Sequence, residues 1–379
     1  MKDINLIILN EALMPIDSIQ NFTSLIWQQS YFDIGTFEVY IPYSKSIYLA
    51  CFEGRFVMRD DTKQVGYIET FQEQVTKNNQ KMLIISGYLL EGIMQKRVFN
   101  ALSFNGGLVI GGPLIDILNY TLPKIITKAS VSVVSTASNV PMWGDSANPN
   151  RLEDASEYLS SIAYASLEAV KCSLTHKMPE YGKVEFTIWQ SIDHTISQNI
   201  NPPIVLSENM GNISNISYQK SEAGCHEIVI VNAIYPSGTG YDAQSWAYVY
   251  NPNNYAIDDL SINHIGITSE TVMNYKTNEA TGVVTYYPDF KASEEKFKKE
   301  AQLQIVPLSE SFTADLINGE IVSIGDIVTF RDEERGVSYD KRVEKYVESY
   351  NASKITYSAT FGSPLKTTKD VLKKSIGLR

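Results

Sequence analysis

The sequence predicts a β-rich α+β fold of several domains, with a small β-barrel near each end and mixed α/β segments inserted between. Alternation of period two in Thr23–Tyr43 and again in Ile321–Phe361 marks half-buried strands at both ends. The 23 Tyr and 14 Phe, with many β-branched residues, favour sheet. The strongest helical pattern, Arg151–Cys172, falls in the middle. A length of 379 residues suits roughly two to four domains.

In chain order, Ile4–Leu9 reads as a strand and Glu11–Gln20 as a loop broken at Met14-Pro15. In the next stretch Leu25 and Trp27 share one strand face, and Phe37, Val39 and Ile41 share another. Asp33-Ile34-Gly35 supplies the turn: Asp33 can accept from nearby backbone N–H groups, and Gly35 can take positive φ. Pro42 ends the second strand because it has no N–H to donate. Further strands follow at Phe56–Arg59, Val65–Val75 and Met82–Gly87, separated by turns at Asp60-Asp61 and Asn78-Asn79. Leu89–Gln95 reads as a helix, and strands closed by one helix suggest a small barrel over residues 1–97.

Residues 98–201 change character. Pro113–Leu122 has helical spacing, and Ser130–Asn139 reads as a strand or exposed loop. The Arg151–Cys172 helix has Asn150 as its cap and Glu153 in capping-box position, and its apolar stripe reads as core rather than a groove. Val184–Ser191 returns to strand. A second barrel is expected from 202–234 with 306–363, interrupted by an inserted domain at 235–305. That domain ends in a charged helix, Glu294–Gln302, whose interleaved Lys and Glu read as a solvated face. In the second barrel Gly325-Asp326 is a turn, Ile327–Phe330 and Lys341–Tyr350 are strands, and Lys354–Phe361 closes at Phe361-Gly362. Residues 364–379 form a C-terminal tail.

Both alternating stretches resemble the signatures of tail hub proteins from long-tailed phages and prophages of Gram-positive bacteria. At the N-terminal end the resemblance rests on the Trp27 strand, the Tyr31–Gly35 turn and the Phe37–Pro42 strand. Ser86-Gly87-Tyr88-Leu89-Leu90 with Lys96-Arg97 continues it, with Ile93 or Met94 where the family has a second Leu. At the other end it rests on Ile324–Val328, Arg342–Tyr346 and Phe361-Gly362. The resemblance spans residues 4–363. It implies two similar barrels per chain and a homotrimeric ring joining the tail tube to the tail tip. Implied partners are distal tail and tail tube proteins, tail-tip or receptor-binding proteins, and DNA or a tape-measure protein passing through the channel. The implied location is the virion tail, after assembly in the host bacterial cytoplasm.

The net charge of −11 argues against a protein that grips DNA. Cys51, Cys172 and Cys225 are too few and too scattered for a disulfide framework and read as reduced thiols. Ile4–Leu9 is too short for a signal-peptide core, and no run is long enough to cross a membrane. No Gly-x-Ser-x-Gly, paired metal-binding His or Cys-x-x-Cys occurs, so no cofactor, metal ligand or catalytic residue is assigned. Cys225-His226 points to opposite strand faces, Gly106-Gly107 and Gly111-Gly112 bracket a short strand, and Asp193-His194 has no nucleophile tied to it. Related hubs often carry a cell-wall-degrading enzyme after the hub portion, for which the short stretch beyond Phe361-Gly362 leaves no room. A tail-tip enzyme and a host glycan-binding module remain the alternatives to a structural hub.

An acidic channel lining would keep DNA sliding, since basic contacts hold phosphate. The strand-borne acids Glu38, Glu69, Glu73, Glu344 and Glu348 are the candidates. Glu69 and Glu73, like Glu344 and Glu348, lie four apart and are expected to share a face.

Overall fold

The computed structural model describes residues 4–76, 79–100, 111–143, 156–222, 225–234, 247–253, 264–271, 274–277, 284–287, 309–334, 336–351 and 354–362, with a few positions between 294 and 305. They fall into two compact units. One takes the residues up to Tyr218 and from Phe312 onward, the other those between Gln219 and Ser311.

The first unit is built on a long open sheet. Its N-terminal strands are β1 (Leu6–Leu9), β2 (Pro15–Ile19), β3 (Ser24–Ser30), β4 (Thr36–Pro42), β5 (Phe56–Arg59), β6 (Val65–Val75) and β7 (Lys81–Leu89). Their spatial order is β2-β1-β5-β6-β7-β4-β3, and the path continues through Val337–Asn351, Lys354–Phe361, Ser309–Leu316 and Ile213–Ser221. No described sheet closes on itself, so the fold is β-rich as expected and strands from the two ends of the chain lie edge to edge. The seam between them is antiparallel, from Lys345 opposite Ser30 to Asn351 opposite Ser24. The strand Ile327–Asp332 branches off, pairing antiparallel with Val337–Arg342 and parallel with the short strands Asp193–His194 and Val205–Leu206.

Alternation works as the sequence implies. In β4, Phe37, Val39 and Ile41 are buried, while Thr36, Glu38 and Tyr40 are half-buried. Leu25 and Trp27 meet them from β3, and Leu83 and Ile85 from β7, to form one core. A second core surrounds Phe312, Phe330, Val343 and Phe361. A third joins the helices Leu114–Ile125 and Leu159–Ala169 to a three-stranded sheet. There Ser130–Ser135 runs parallel to Lys183–Gln190, which pairs antiparallel with Cys172–Glu180. In the second unit Ile228–Ile234 sits between Ala247–Tyr250, antiparallel, and Ile265–Thr271, parallel, over a core that includes Val229, Val231 and Phe297.

Several elements differ from expectation. The loop expected over Glu11–Gln20 contains β2, which tolerates Pro15 because it begins an edge strand. The helix α1 (Lys45–Glu53) carries no amphipathic signal strong enough to read. Its start is set by Ser44, whose hydroxyl accepts from the Ile47 amide at 3.2 Å. Leu89–Gln95 is a 3₁₀ helix over Leu90–Lys96 rather than an α-helix. The helix expected over Arg151–Cys172 occupies Leu159–Ala169. Ser156–Tyr158 pair with Val98–Asn100, and Lys171 at φ +57 turns the chain so that Cys172 begins a strand. Its cap at Asn150 and Glu153, the Gly106-Gly107 turn, Asn78 and much of the Glu294–Gln302 helix lie outside the described residues.

Gly35 is needed for a reason other than positive φ. A Cβ there would stand 2.5 Å from the Gln28 carbonyl oxygen and 2.5 Å from Leu89 Cδ1, so the requirement is close approach of the β3–β4 turn to buried neighbours. Gly325 does take positive φ, +86°, and its turn packs on the Tyr31 ring. Replacing Gly35 with Ala is expected to lower stability by about 1–3 kcal/mol through overpacking. A urea midpoint for Gly35→Ala equal to wild type would refute this.

Candidate functional site

The seam between β3 and Val337–Asn351 holds the unit's most demanding polar cluster. Arg59, at the end of β5, is fully buried. Its Nε donates to Asp61 Oδ1 at 3.0 Å and its Nη2 to Asp61 Oδ2 at 2.8 Å. Nη1 and Nη2 donate to the two carboxylate oxygens of Glu348 at 3.0 and 3.1 Å. Nη2 also reaches the Tyr350 hydroxyl at 3.2 Å, and that hydroxyl donates to Glu348. The guanidinium lies over the rings of Trp27 and Tyr350 at 5.5 and 5.6 Å. Burial alone would lower the Arg59 pKa, but the bonds to Asp61 and Glu348 outweigh it and hold the group charged. Burial raises the Tyr350 pKa, so the phenol stays a donor.

Trp27 packs on Phe37 at 5.5 Å and donates its indole N–H to Gln64 Oε1 at 2.9 Å. At the other end of the seam Tyr31 is buried. Its hydroxyl donates to the Lys171 carbonyl at 2.8 Å and accepts the Ser191 amide at 3.0 Å. Arg342 stacks over Tyr31 at 4.7 Å, and Trp189 meets the same ring edge-on at 5.2 Å. The turn residues are in place: Asp33 Oδ1 accepts the Ile34 amide at 2.7 Å, and Asp326 Oδ2 accepts the Ser323 amide at 2.8 Å. Burial raises the Asp326 pKa, against the lowering effects of that bond and of nearby His194. Pro42 ends β4, Phe361 is buried against Phe330, and the Gly362 amide donates to the Arg342 carbonyl at 2.8 Å.

The candidate lining acids occupy unlike surroundings. Glu38 is half-buried on β4 and bonds Tyr40, raising that phenol's pKa. Glu69 and Glu73 are exposed and pair with Lys96 at 2.8 Å and Lys81 at 3.0 Å. Glu348 is buried on Arg59, with Trp27 opposite it in register. Alternation does not carry from Glu69 to Glu73, nor from Glu344 to Glu348. The register slips between Ile68 and Thr70 and between Val343 and Lys345, which makes Glu69 and Glu344 the extra residues of two β-bulges. Burial pushes the half-buried Glu344 up to about 7, with Arg342 lowering it and Glu168 raising it.

No catalytic constellation is assembled from the residues singled out by sequence. Asp193 Oδ1 accepts the Thr195 amide at 2.8 Å, while His194 Nδ1 bonds the Pro202 carbonyl at 2.8 Å. Each serves the loop that follows. His226 Nδ1 lies 3.3 Å from the Gln304 carbonyl, and Cys225 is buried. A buried pair that sequence reasoning missed joins His176 Nδ1 to Glu91 Oε1 at 2.7 Å, and His176 Nε2 accepts the Val65 amide at 2.7 Å. That second bond places the ring proton on Nδ1, directed at Glu91. With the side chains 0% and 6% exposed, the pair is an internal strut. Among the described residues no group of His, Cys, Asp or Glu is arranged to hold a metal, and no helix is long and apolar enough to cross a membrane.

The described residues form a β-rich fold in which strands from both ends of the chain share one sheet. The chain belongs to the siphovirus ReqiPepy6 Gp37-like protein family, whose model matches residues 5–237. The fold is similar to that of the tail protein from Neisseria meningitidis MC58, at 13% identity and TM-score 0.57 over 95% of this chain and 96% of that one. It is likewise similar to the 43 kDa tail protein of prophage MuSo2 from Shewanella oneidensis, at 12% identity and TM-score 0.57 over 95% and 98%. The prophage tail protein gp18 from Listeria monocytogenes EGD-e matches at 10% identity and TM-score 0.50 over 100% and 99%. No curated protein matches the sequence.

Removing one partner of the Arg59 cluster strands a buried charge. Glu348→Ala is expected to cost about 3–5 kcal/mol, whereas Arg59→Met with Glu348→Leu costs less, because only Asp61, whose side chain is 14% exposed, is then left without its cation. Equal losses in the two variants, read from chemical denaturation, would refute this. Glu344 gives a pH signature. Its folded pKa lies above the ordinary 4.5, so its contribution is complete at low pH and is lost as pH rises toward about 7. Glu344→Gln should therefore gain stability relative to wild type between about pH 4.5 and 7. A pH-independent difference between the two would refute that assignment.

Proposed function

We propose that this chain is a structural protein of the phage tail and its hub subunit, forming a homotrimeric ring between the tail tube and the tail tip. The observation that carries the reading is the seam: strands from the first and last parts of the chain join side by side, locked by Arg59 and Glu348. Under this reading residues 1–97 and 202–234 with 306–363 are two similar hub units, whose barrels are completed in the assembled ring. Three chains then present six such units, which suits a ring on a six-fold tube. Residues 98–201 and 235–305 are insertions that meet neighbouring tail proteins.

The ring's partners are distal tail and tail tube proteins on one side and tail-tip or receptor-binding proteins on the other, with DNA or a tape-measure protein in the channel. Glu38, Glu69 and Glu73 are the acids best placed for its lining, since each reaches the surface, while Glu348 is held inside by Arg59. The role is structural, without turnover. In support, Asp193 and His194 each hold separate loop bonds.

Light scattering on the purified chain should find a particle of three 42.5 kDa chains, alone or once tail tube protein is added. A monomer under both conditions would refute the ring. Digestion of peptidoglycan, or retention on a glycan array, would refute the purely structural role. Lys substituted at positions 69 and 73 should slow DNA release from particles, and an unchanged rate would remove those acids from the channel.

A further inference from the structure

The first unit carries two clefts of opposite charge. One is a cleft of about 590 Å³ floored by Phe56, Tyr67 and Ile93. Its polar wall has four cations, Arg55, Lys96, Arg97 and Lys128, against one acid, Glu11. That acid serves two of them, at 2.6 Å from Lys128 and 3.9 Å from Arg55. Lys96 is fixed over the Tyr67 ring at 4.6 Å and paired with Glu69 at 2.8 Å, so two positive charges remain in excess. A cleft with this surplus of positive charge runs against the chain's net charge of −11.

The other surface reverses the balance. Arg331, Asp332, Glu333 and Glu334 lie at the tip of the hairpin joining Ile327–Asp332 to Val337–Asn351. Beside it stands Glu208, so four acids stand against Arg331 and, in the sequence of the same hairpin, Arg335. The tip is exposed at Arg331, Glu333 and Glu334. It is also organised: Ser207 Oγ donates to Glu333 Oε1 at 3.1 Å and accepts the Asn209 amide at 3.2 Å, tying the hairpin to the neighbouring turn.

We propose that the acidic hairpin tip of one chain docks in the basic cleft of the next copy, and that this contact closes the ring. The inference rests on the ring reading. A head-to-tail interface needs two different patches on each chain, and a rotation that brings one onto the other repeats until the ring closes. The basic cleft, near 590 Å³, has room for several side chains, and the hairpin offers exposed ones at Arg331, Glu333 and Glu334. Charge complementarity favours a second copy, because the same unit supplies both halves with mirrored balance. It also fixes register and suppresses wrong pairings, since like charges brought together are strongly disfavoured.

The test uses the full chain. Wild type should assemble, and its assembly should weaken as salt rises from about 0.1 to about 1 M. Arg55→Glu with Arg97→Glu should raise the concentration for half-assembly by about tenfold or more, as should Glu333→Lys with Glu334→Lys. All four residues are solvent-facing, and unchanged thermal unfolding would show that the variants fold. The chain carrying all four reversals restores complementarity with the polarity exchanged and should reassemble. Assembly unchanged in the two reversed pairs overturns the docking while leaving the ring intact. Loss in both without recovery in the fourfold variant also overturns it, and assigns the cleft to another acidic partner. A wild type that never assembles, with or without tail tube protein, overturns the ring and the docking together.

Discussion

A fully buried guanidinium is the constraint on which the first unit depends. Taking Arg59 out of water carries a large desolvation penalty, which is offset only if every donor finds an oxygen and the surroundings supply negative charge. Asp61 lies two residues away in sequence, but Glu348 and Tyr350 lie at the far end of the chain. The N-terminal strands therefore cannot bury Arg59 without the C-terminal ones. The register between β3 and Val337–Asn351 is fixed by the same contact, because a one-residue slip would turn Glu348 to the opposite face. This couples the two sequence ends more specifically than the apolar core does, since a two-residue slip would leave Leu25 facing the core but carry Glu348 away from Arg59.

The seam also explains why its two ends are built so differently. Around Trp27 the sheet is regular, and the aromatic faces receive a cation from within. Around Tyr31 the sheet has slipped at the Glu344 bulge, and the chain turns at Gly325, whose missing side chain makes room for the Tyr31 ring. Arg342 and Trp189 then pack on that ring. A bulge bends a strand and increases its twist. Here it lets one long strand serve the shared sheet with its C-terminal half and the Ile327–Asp332 branch with its N-terminal half.

What sequence reveals follows from how local the causes are. The β3–β4 hairpin, the closing strands and the Asp33 and Gly325 turns were legible, because period-two burial and turn chemistry act over a few residues. The helix α1 was not, since its start depends on one serine and its faces are poorly divided. The bulges at Glu69 and Glu344 were invisible for a related reason: a bulge is defined by the partner strand, and no pattern within one strand announces it. Arg59 with Glu348, and His176 with Glu91, are contacts made by topology across long separations. Composition hinted at neither. The acids that recur four apart at both ends do not share a face, because a bulge intervenes at Glu69 and at Glu344.

Net charge is the last point at which locality matters. A chain with an excess of acids suggests an acidic surface, yet a sum says nothing of where the charges sit. Glu348 neutralises a cation inside, Glu344 favours its protonated form up to about 7, and Glu69 and Glu73 pair with lysines at the surface. Against that background the cations around Phe56 and Tyr67 outnumber Glu11 and Glu69, while the hairpin at Asp332–Glu334 with Glu208 has the reverse excess. Separation of charge within one unit creates a directional field, and identical chains in such a field favour head-to-tail over face-to-face contact, because face-to-face contact sets like charges against each other. A chain that is uniformly acidic would repel its own copies. One whose charges are separated can be soluble as a subunit and still recognise its neighbour, a combination that a ring assembled from free chains requires.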